Sequence, residues 1–276
     1  MRAAAALCLV VVDGLGRREM MGAMPRLAQR VQRSGGRWQR SRAACPSLSL
    51  PNYASLVTGL DPAVHGVRGN HPRRRLQHRT LFDTLRDARR RVAVSAFRWW
   101  EELCPGPAGP RPPGRQPAGT APLGAAFLYE AEDTADATVY GHAAALAAQE
   151  RPDLLLVHPM GVDWAGHRFG AGSAEHAAAV SRTDDLLDAF LDQWTAPGGS
   201  ARPVIVTADH GMDTAGRHGG DQPAHVDIGL ALLGLPATLA PAVDQEVWPQ
   251  TAVLGVVLAA LGLERPGAAI TRPSPG

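Results

Sequence analysis

Short apolar runs alternate along this chain with longer segments in which apolar residues recur at helical spacing. The runs with the composition of buried strands are residues 6–12, 91–97, 153–157, 204–207 and 228–233. The segments that predict helices begin near residue 17 and cover 24–33, 53–58, 80–90, 133–150, 173–194 and a stretch that ends at 261. Strands that alternate with helices predict an α/β protein, with a three-layer α/β/α sandwich around a mostly parallel sheet.

The chain is long enough for one large domain or two small ones, and we predict one domain that spans residues 1–276. Of the 276 residues, 45% are hydrophobic, and this share is typical of a globular protein. An irregular excursion rich in Pro and Gly is predicted at about residues 104–123, between segments that both carry candidate site residues. We therefore expect the excursion to belong to the same domain.

Charge and hydropathy limit the partners and the location that the sequence predicts. The formal net charge of +2 gives no reason to expect binding to duplex nucleic acid. No apolar run approaches the roughly 20 residues that a membrane-spanning helix needs, so no span is predicted. The N-terminal apolar run is interpreted as the first strand and not as a signal peptide, and three widely spaced Cys are typical of a reducing compartment. Together these features predict a cytoplasmic protein. The Arg-rich segment 73–91 has two possible roles: a solvated face, or a surface that attracts an anionic substrate.

Acidic and imidazole side chains follow the apolar runs where strands are predicted to end. Asp13 follows the first run, and Asp209 and His210 follow the run at 204–207. Open α/β sheets hold their ligands at the carboxyl ends of the strands. Asp and His are also common ligands of zinc, so these residues predict a metal site. The alternatives are a helix N-cap at Asp13 and an ordinary polar turn after 204–207.

Two further segments carry residues of the same kinds. Asp163 and His167 are four positions apart, so a helix or a tight turn puts both on one side, where they suit one metal ion. A polar surface turn is the alternative for this pair. A last imidazole is expected from His218, in the sequence GRHGGD, or from His225.

Segment 45–70 carries a candidate nucleophile. Its prolines predict a constrained turn at 46–52, and Ser49 lies just before the helix predicted at 53–58. The positive end of a helix and its free backbone N–H groups favour a bound phosphate, so a hydroxyl at this place is suited to attack it. The alternative is that Ser49 only caps the helix. Farther along the chain, Trp99 and Trp100 follow a predicted strand, and Trp99 is a candidate for a substrate pocket, with packing as the alternative.

The sequence PSLSLPNYASLVTGLDPAVHGVRGN at 46–70 resembles the nucleophile segment of type I phosphodiesterases and nucleotide pyrophosphatases, which belong to the alkaline phosphatase superfamily. In that family a Thr, and less often a Ser, precedes an apolar or aromatic residue and Pro-Asn, which puts the nucleophile on Ser49. The Asn that ends the family's HG-x-x-G-N element falls on Asn70. The sequence DWAGHRFG, which begins at Asp163, resembles the second metal motif, and Asp209-His210 resembles the third.

The resemblance implies two divalent metal ions, and the mixture of Asp and His suits zinc best, with manganese as the alternative. The residues that would hold one ion are Asp163, His167 and His218, with His225 as the alternative to His218. The residues that would hold the other ion are Asp13, Asp209, His210 and Ser49 through its oxygen.

The resemblance also implies a reaction, the hydrolysis of a phosphodiester or pyrophosphate bond through a covalent intermediate on Ser49. The substrate would be a small-molecule phosphate ester or nucleotide, with its phosphate oxygens bound by Asn70 and by the backbone N–H of Leu50. A phosphomonoesterase or phosphonate hydrolase of the same superfamily is the alternative enzyme. A non-catalytic metal- or anion-binding protein is the alternative of another class. Ser in place of Thr favours monoesters, whereas the Asn70 element favours diesters.

Overall fold

The computed structural model describes residues 6–71, 76–103, 114–121, 124–194, 202–239 and 246–264. Within these ranges the strands form one nine-stranded sheet in the order β4-β5-β3-β6-β1-β7-β8-β2-β9. The strands are β1 Leu7–Val12, β2 Arg37–Arg42, β3 Val92–Phe97, β4 Gly114–Ala121, β5 Gly124–Tyr129, β6 Leu154–Val157, β7 Val204–Ala208, β8 Asp227–Leu233 and β9 Val247–Pro249. The helices are α1 Arg17–Ala23, α2 Pro25–Arg33, α3 Ser49–Thr58, α4 Pro62–His65, α5 Leu81–Asp87, α6 Trp99–Glu102, α7 Asp136–Glu150, α8 Gly161–Phe169, α9 Ala174–Gln193, α10 Pro223–Val226 and α11 Val253–Ala260.

The centre of the sheet is parallel and its two sides are mixed. β5, β3, β6, β1 and β7 run in one direction. β8 runs against β7 and β2 runs against β8, so β2 again ends at the same edge as β1. This edge therefore collects the residues that follow the central strands, which is where the sequence predicts the site.

Strand β1 shows why the chain folds in three layers. All six of its residues are buried, and successive side chains of a strand point to opposite faces. Cys8, Val10 and Val12 pack in the core that α1, α2, α7 and α9 cover. Leu7, Leu9 and Val11 pack in the core that α3, α5 and α11 cover. A strand with no polar position is stable only between two helical layers, so the predicted α/β/α sandwich is confirmed.

The predicted strands and helices are present, most with ends shifted by a few residues. Helix α3 differs most from the prediction, because it begins at Ser49 itself rather than after a turn at 46–52. Pro51 is tolerated there because the first residues of a helix have no intrahelical acceptor for their N–H groups. Ser49 consequently lies in the first turn of the helix, where backbone N–H groups point out of its end.

Four strands were not predicted, namely β2, β4, β5 and β9. β2 has the sequence RWQRSR, whose single apolar residue gives no strand signal, and it is stabilised by pairing with β8 and β9 on either side. β4 lies in the segment predicted to be irregular, and its backbone pairs antiparallel with β5. The rest of that segment, residues 104–113 and 122–123, lies outside the described residues. That residues 1–276 form a single domain stays a prediction.

Candidate metal centre

Two neighbouring strands deliver buried acids of the site. Asp13 follows β1, and Asp209 and His210 follow β7, which is hydrogen-bonded to β1. All three side chains are completely buried. Asp209 Oδ1 accepts the Gly14 N–H at 3.1 Å, so the two strand ends are tied together. The His210 Nε2 lies 3.4 Å from Asp13 Oδ1 and 3.3 Å from Asp209 Oδ2.

Ser49 reaches this cluster from the N-terminus of α3. Its Oγ lies 3.2 Å from His210 Nε2, and the residue is almost completely buried. The loop before it is fixed by the Asn52 side chain, which accepts the Ala44 N–H at 2.8 Å and donates to the carbonyls of Pro46 and Leu48. Asn52 therefore fixes the place where α3 begins, and this determines the position of the Ser49 hydroxyl.

Helix α8 and the loop after β7 supply a second group of side chains beside the first. Asp163 is buried, and its Oδ2 lies 3.4 Å from Nε2 of His167, one helical turn later. His218 Nε2 lies 3.1 Å from His167 Nε2 and 3.9 Å from Asp163 Oδ1. The His218 ring also stacks on the His210 ring, with centroids 3.8 Å apart. The two groups are therefore adjacent, with His210 between them.

Backbone carbonyls determine which ring nitrogens face the site. Nδ1 of His167 donates to the Gly216 carbonyl at 2.9 Å, and Nδ1 of His218 donates to the Ser47 carbonyl at 2.9 Å. In neutral imidazole the other nitrogen then carries a lone pair. Two Nε2 lone pairs that approach to 3.1 Å repel each other unless a cation lies between them. The same pattern of a backbone-bound Nδ1 is found in histidines that bind metals.

The carboxylates of the site have oxygens that nothing in the described chain neutralises. Asp13 Oδ1, Asp163 Oδ1 and Asp209 Oδ2 are buried and have no hydrogen-bond partner among the described residues. Burial, followed by the charge of Asp13, raises the pKa of Asp163 and of Asp209 well above the usual aspartate range. Burial, followed by repulsion from His218, lowers the pKa of His210 to about 3, so this imidazole is neutral. A neutral imidazole and crowded carboxylates are ligand types that divalent cations bind.

Two overlapping sets of ligand atoms are close enough to hold one ion each. One set is Asp13, Asp209 and His210, and the other is Asp163, His210 and His218, with the ligand atoms of each set within 4.8 Å of one another. The prediction from the sequence assigned His210 only to the ion that Asp13 and Asp209 would hold. In the structure His210 lies between both, because its ring stacks on His218.

The alternative imidazole lies apart from these sets. His225 is buried in α10, where its Nδ1 accepts the Gly220 N–H at 3.2 Å. Its Nε2 lies 3.6 Å from Asp213 Oδ2, and His225 belongs to neither set of ligand atoms. His218, not His225, is therefore the imidazole that the fold brings to His167.

The groups predicted to bind phosphate lie beside Ser49, whereas Trp99, the candidate for a substrate pocket, packs against Phe97. The Leu50 backbone N–H donates to Asn70 Oδ1 at 3.1 Å, so both groups are next to Ser49. Trp99 is half-buried and packs its ring edge-on against Phe97, with centroids 5.0 Å apart. The neighbouring Trp100 is fully buried instead and stacks on Tyr53 at 4.5 Å.

Sequence reasoning missed two residues of the site. The Tyr53 hydroxyl donates to Asp13 Oδ2. His158 Nε2 lies 3.2 Å from the same oxygen. A signal for His158 was present, because it directly follows the apolar run of β6 as Asp13 follows that of β1. Tyr53 gave no such signal, because its contact joins residues 40 positions apart.

Gly14 lies where Asp163 leaves no room for a side chain. Its φ is +71°, and an added Cβ would lie 2.8 Å from both Asp163 Cα and Asp163 Oδ1. We expect Gly14→Ala to lower the free energy of unfolding by about 1–3 kcal/mol and to weaken metal binding by displacing Asp163. Denaturant unfolding and zinc titration measure the two effects. Gly22→Ala in α1, where a Cβ meets nothing within 4 Å, is the matched control, and equal behaviour of the two variants would contradict this role of Gly14.

Comparison with known proteins gives a consistent group of relatives. The sequence profile of the family described as "Type I phosphodiesterase / nucleotide pyrophosphatase" matches residues 7–227. The catalytic subunit of human GPI ethanolamine phosphate transferase 3 is 26% identical over 238 residues, which are 86% of this chain and 21% of the human protein. GPI ethanolamine phosphate transferase 2 of Yarrowia lipolytica is 26% identical over 213 residues, 75% of this chain and 23% of that protein. The chain thus spans about a fifth of the length of these relatives.

Solved structures share the fold at low sequence identity. One such structure is murine ectonucleotide pyrophosphatase/phosphodiesterase 5, in an inactive form in complex with AMP. It superposes with a TM-score of 0.68 at 13% identity, and the match covers 99% of this chain and 97% of the murine chain. Phosphonoacetate hydrolase from Sinorhizobium meliloti has a TM-score of 0.53 at 21% identity, with 76% of this chain and 57% of its own covered. These similarities support the fold alone.

The curated relatives contradict the predicted cytoplasmic location. Their name assigns them a GPI substrate, and glycosylphosphatidylinositol is a membrane glycolipid. The prediction was wrong because it was based on the N-terminal run and the cysteines, which carry no information about where the active site works. The N-terminal run does form β1. Among the described residues, no helix combines the length and the apolar character that crossing a membrane requires.

Proposed function

Because the chain belongs to the type I phosphodiesterase/nucleotide pyrophosphatase family, we propose that it cleaves a phosphodiester or pyrophosphate bond at a two-metal centre, with Ser49 as the nucleophile. The family acts on phosphoesters, which sets the class of reaction. The observation that carries the proposal is the 3.2 Å approach of the Ser49 Oγ to His210 Nε2, beside three buried carboxylates with unpaired oxygens.

Two divalent cations match the donors of the site. The residues that would hold one ion are Asp163, His167 and His218. The residues that would hold the other are Asp13, Asp209, His210 and Ser49. Mixed Asp and His ligands favour zinc, with manganese as the alternative. When bound, such ions lower the pKa of a coordinated hydroxyl and stabilise negative charge on the attacking and leaving oxygens.

The chain's own residues would carry a two-step displacement. In the first step Ser49 Oγ attacks phosphorus, its proton passes to solvent, and the bond to the leaving oxygen breaks as the P–Oγ bond forms. The leaving oxygen takes up a proton. In the second step a water attacks phosphorus, the P–Oγ bond breaks and the Ser49 hydroxyl is restored.

Leu50 and Asn70 would bind the phosphate during both steps. Their mutual hydrogen bond of 3.1 Å occupies the Leu50 N–H with a carbonyl oxygen. A phosphate oxygen would replace that carbonyl, and the Asn70 amide N–H would donate to a second phosphate oxygen. Removal of one hydrogen-bond donor that faces the charge developing in the transition state lowers kcat by about 10²–10³-fold.

Transfer to an alcohol is the second candidate reaction, favoured by the relatives named GPI ethanolamine phosphate transferases. The first step is the same. In the second step an alcohol oxygen replaces water, so a new phosphodiester forms instead of a free phosphate ester. The two reactions therefore share every residue assigned above and differ only in the acceptor.

Substrate profiling of the zinc-loaded protein tests the proposal. We expect turnover of bis(p-nitrophenyl) phosphate to exceed that of p-nitrophenyl phosphate, with p-nitrophenyl phosphate as the product in water. Product that carries added ethanolamine or glycerol would indicate transfer, and faster turnover of the monoester would favour a phosphomonoesterase. The proposal is wrong if protein loaded with zinc or with manganese turns over neither ester.

The two candidate histidines provide a matched pair of variants. We expect His218→Ala to weaken zinc binding at the Asp163 site by about 10–100-fold or more, because an imidazole ligand is lost. His225→Ala should leave zinc affinity unchanged, because its contacts are Gly220 and Asp213. Isothermal titration of the zinc-free variants measures both. A larger loss of zinc affinity in His225→Ala than in His218→Ala would reverse the assignment.

A further inference from the structure

The two oxygens of the Asp13 carboxylate face different surroundings. Oδ2 accepts the hydrogen bond of Tyr53 Oη and lies 3.2 Å from His158 Nε2. Oδ1 receives no hydrogen bond from the described residues and lies 3.4 Å from His210 Nε2, on the side of the other candidate ligands. From this asymmetry we propose that Tyr53, assisted by His158, is a positioning residue that holds Asp13 so that Oδ1 alone faces the metal centre. The inference rests on the proposed two-metal function.

The packing of Tyr53 allows its hydroxyl one position. The residue lies in the second turn of α3, fully buried, with its ring stacked on Trp100 at 4.5 Å and an interplanar angle of 16°. Its edge meets the His158 ring at 4.8 Å. Because rings on two sides prevent rotation, the hydroxyl is directed at Asp13. Since α3 also begins with Ser49, one helix positions both the nucleophile and the carboxylate.

His158 acts on the same oxygen in a weaker way. Its backbone carbonyl accepts the Tyr129 hydroxyl at 2.5 Å, which fixes the segment after β6. Its ring is fully buried against Tyr53 and Trp100, and neither ring nitrogen has a hydrogen bond of good geometry with the described residues. Its Nε2 nevertheless lies 3.2 Å from Asp13 Oδ2, the same oxygen that accepts the Tyr53 hydroxyl. Its effect is to keep Oδ2 on the aromatic side of the site.

A carboxylate that is free to rotate can bind a metal through either oxygen or through both. Partners that orient a ligand from behind typically change metal affinity by about 10–100-fold when they are removed. The Tyr53 hydroxyl is such a partner, because it donates its hydrogen bond to Asp13 and not to the Ser49 oxygen. Its loss should thus be measurable in metal binding even without any substrate.

The test compares Tyr53→Phe with Tyr140→Phe in the full chain. Both tyrosines are buried, but Tyr140 lies in α7, and its hydroxyl has no hydrogen-bond partner among the described residues. Zinc affinity is measured by competition with a chromophoric chelator, and folding is checked by circular dichroism. We expect Tyr53→Phe to weaken one of the two zinc sites by about 10–100-fold and leave the other within about threefold. Tyr140→Phe should change neither site.

A folded Tyr53→Phe protein that binds two zinc ions as tightly as the wild type overturns the inference. If the wild type binds no zinc, it is the proposed function that fails, so the two failures are distinct. Should Tyr53→Phe not fold, His158 carries the test. His158→Leu, which removes the polar contact with Asp13 Oδ2, should weaken the same zinc site, whereas wild-type affinity at both zinc sites in a folded His158→Leu protein contradicts the inference.

Discussion

Ser49→Ala is expected to lower kcat of the zinc-loaded protein by about 10³-fold or more and to leave both metal sites filled, in line with the loss of a nucleophile in other hydrolases. The hydroxyl lies 3.2 Å from His210 Nε2, and no other hydroxyl or thiol of the described residues is hydrogen-bonded to His210. The six remaining carboxylate and imidazole ligands keep their positions, so zinc affinity should fall much less than turnover. Stopped-flow or steady-state assays together with metal analysis measure the two quantities.

Ser55→Ala is the matched control for this variant. Ser55 is a buried serine of the same helix, and its Oγ contacts His65 Nε2 at 3.1 Å instead of the metal centre. Its kcat should stay close to that of the wild type. If Ser49→Ala keeps wild-type turnover, the covalent mechanism is wrong. If it loses turnover and zinc together, Ser49 acts mainly as a ligand.

Removal of metal should abolish turnover and destabilise the fold. Without cations, Asp13, Asp163 and Asp209 place buried carboxyl groups close together, and burial raises the pKa of Asp163 and Asp209 because their charged forms are not compensated. Each zinc site held at a hundredfold excess over its Kd stabilises the folded state by about 2.7 kcal/mol. For a domain of this size, each kcal/mol raises Tm by about 2–4 °C.

The measurement is a pair of assays on protein treated with a chelator and then reloaded. Chelation should remove turnover and lower Tm, and added zinc should restore both, whereas added magnesium should not, because it prefers an all-oxygen octahedral site. Turnover that survives complete removal of metal, confirmed by elemental analysis, would contradict a metal-dependent mechanism. A Tm that does not respond to zinc would show that the acids are neutralised in another way.

The sequence was informative where a residue's position follows from the geometry of the sheet. Asp13 and Asp209-His210 follow apolar strands, and parallel strands end at one edge, so their meeting was predictable before any coordinates. The i,i+4 spacing of Asp163 and His167 likewise placed both on one side of a helix, as α8 shows. These are local patterns combined with one topological rule.

Features that depend on tertiary contacts were not predictable in this way. β2 is held in the sheet by its neighbours although its residues are mostly polar, so its pattern gave no strand signal. The choice between His218 and His225 depends on the course of the loop after β7, where the Ser47 carbonyl holds the His218 ring and the Gly220 N–H holds the His225 ring. The Tyr53 contact with Asp13 needs the helix and the strand to be packed together, which no spacing in the sequence encodes.

The cellular location of the protein could not be predicted from its sequence patterns. The cytoplasmic prediction came from the interpretation of the N-terminal apolar run as a strand and from the three widely spaced cysteines, and neither feature determines location. The relatives that contradict it were found only by comparison over most of the chain.

Anomalous diffraction at the zinc edge, from crystals of the zinc-loaded chain, locates the ions without any assumption about activity. We expect two peaks about 4 Å apart, the separation typical of two-metal phosphoesterase sites. One peak should lie among Asp13, Asp209 and His210 within coordination distance of Ser49 Oγ, and the other among Asp163, His167 and His218. Peaks elsewhere on the protein, or a zinc-loaded crystal in which these side chains bind no ion, would contradict the two-metal centre on which the whole mechanism depends.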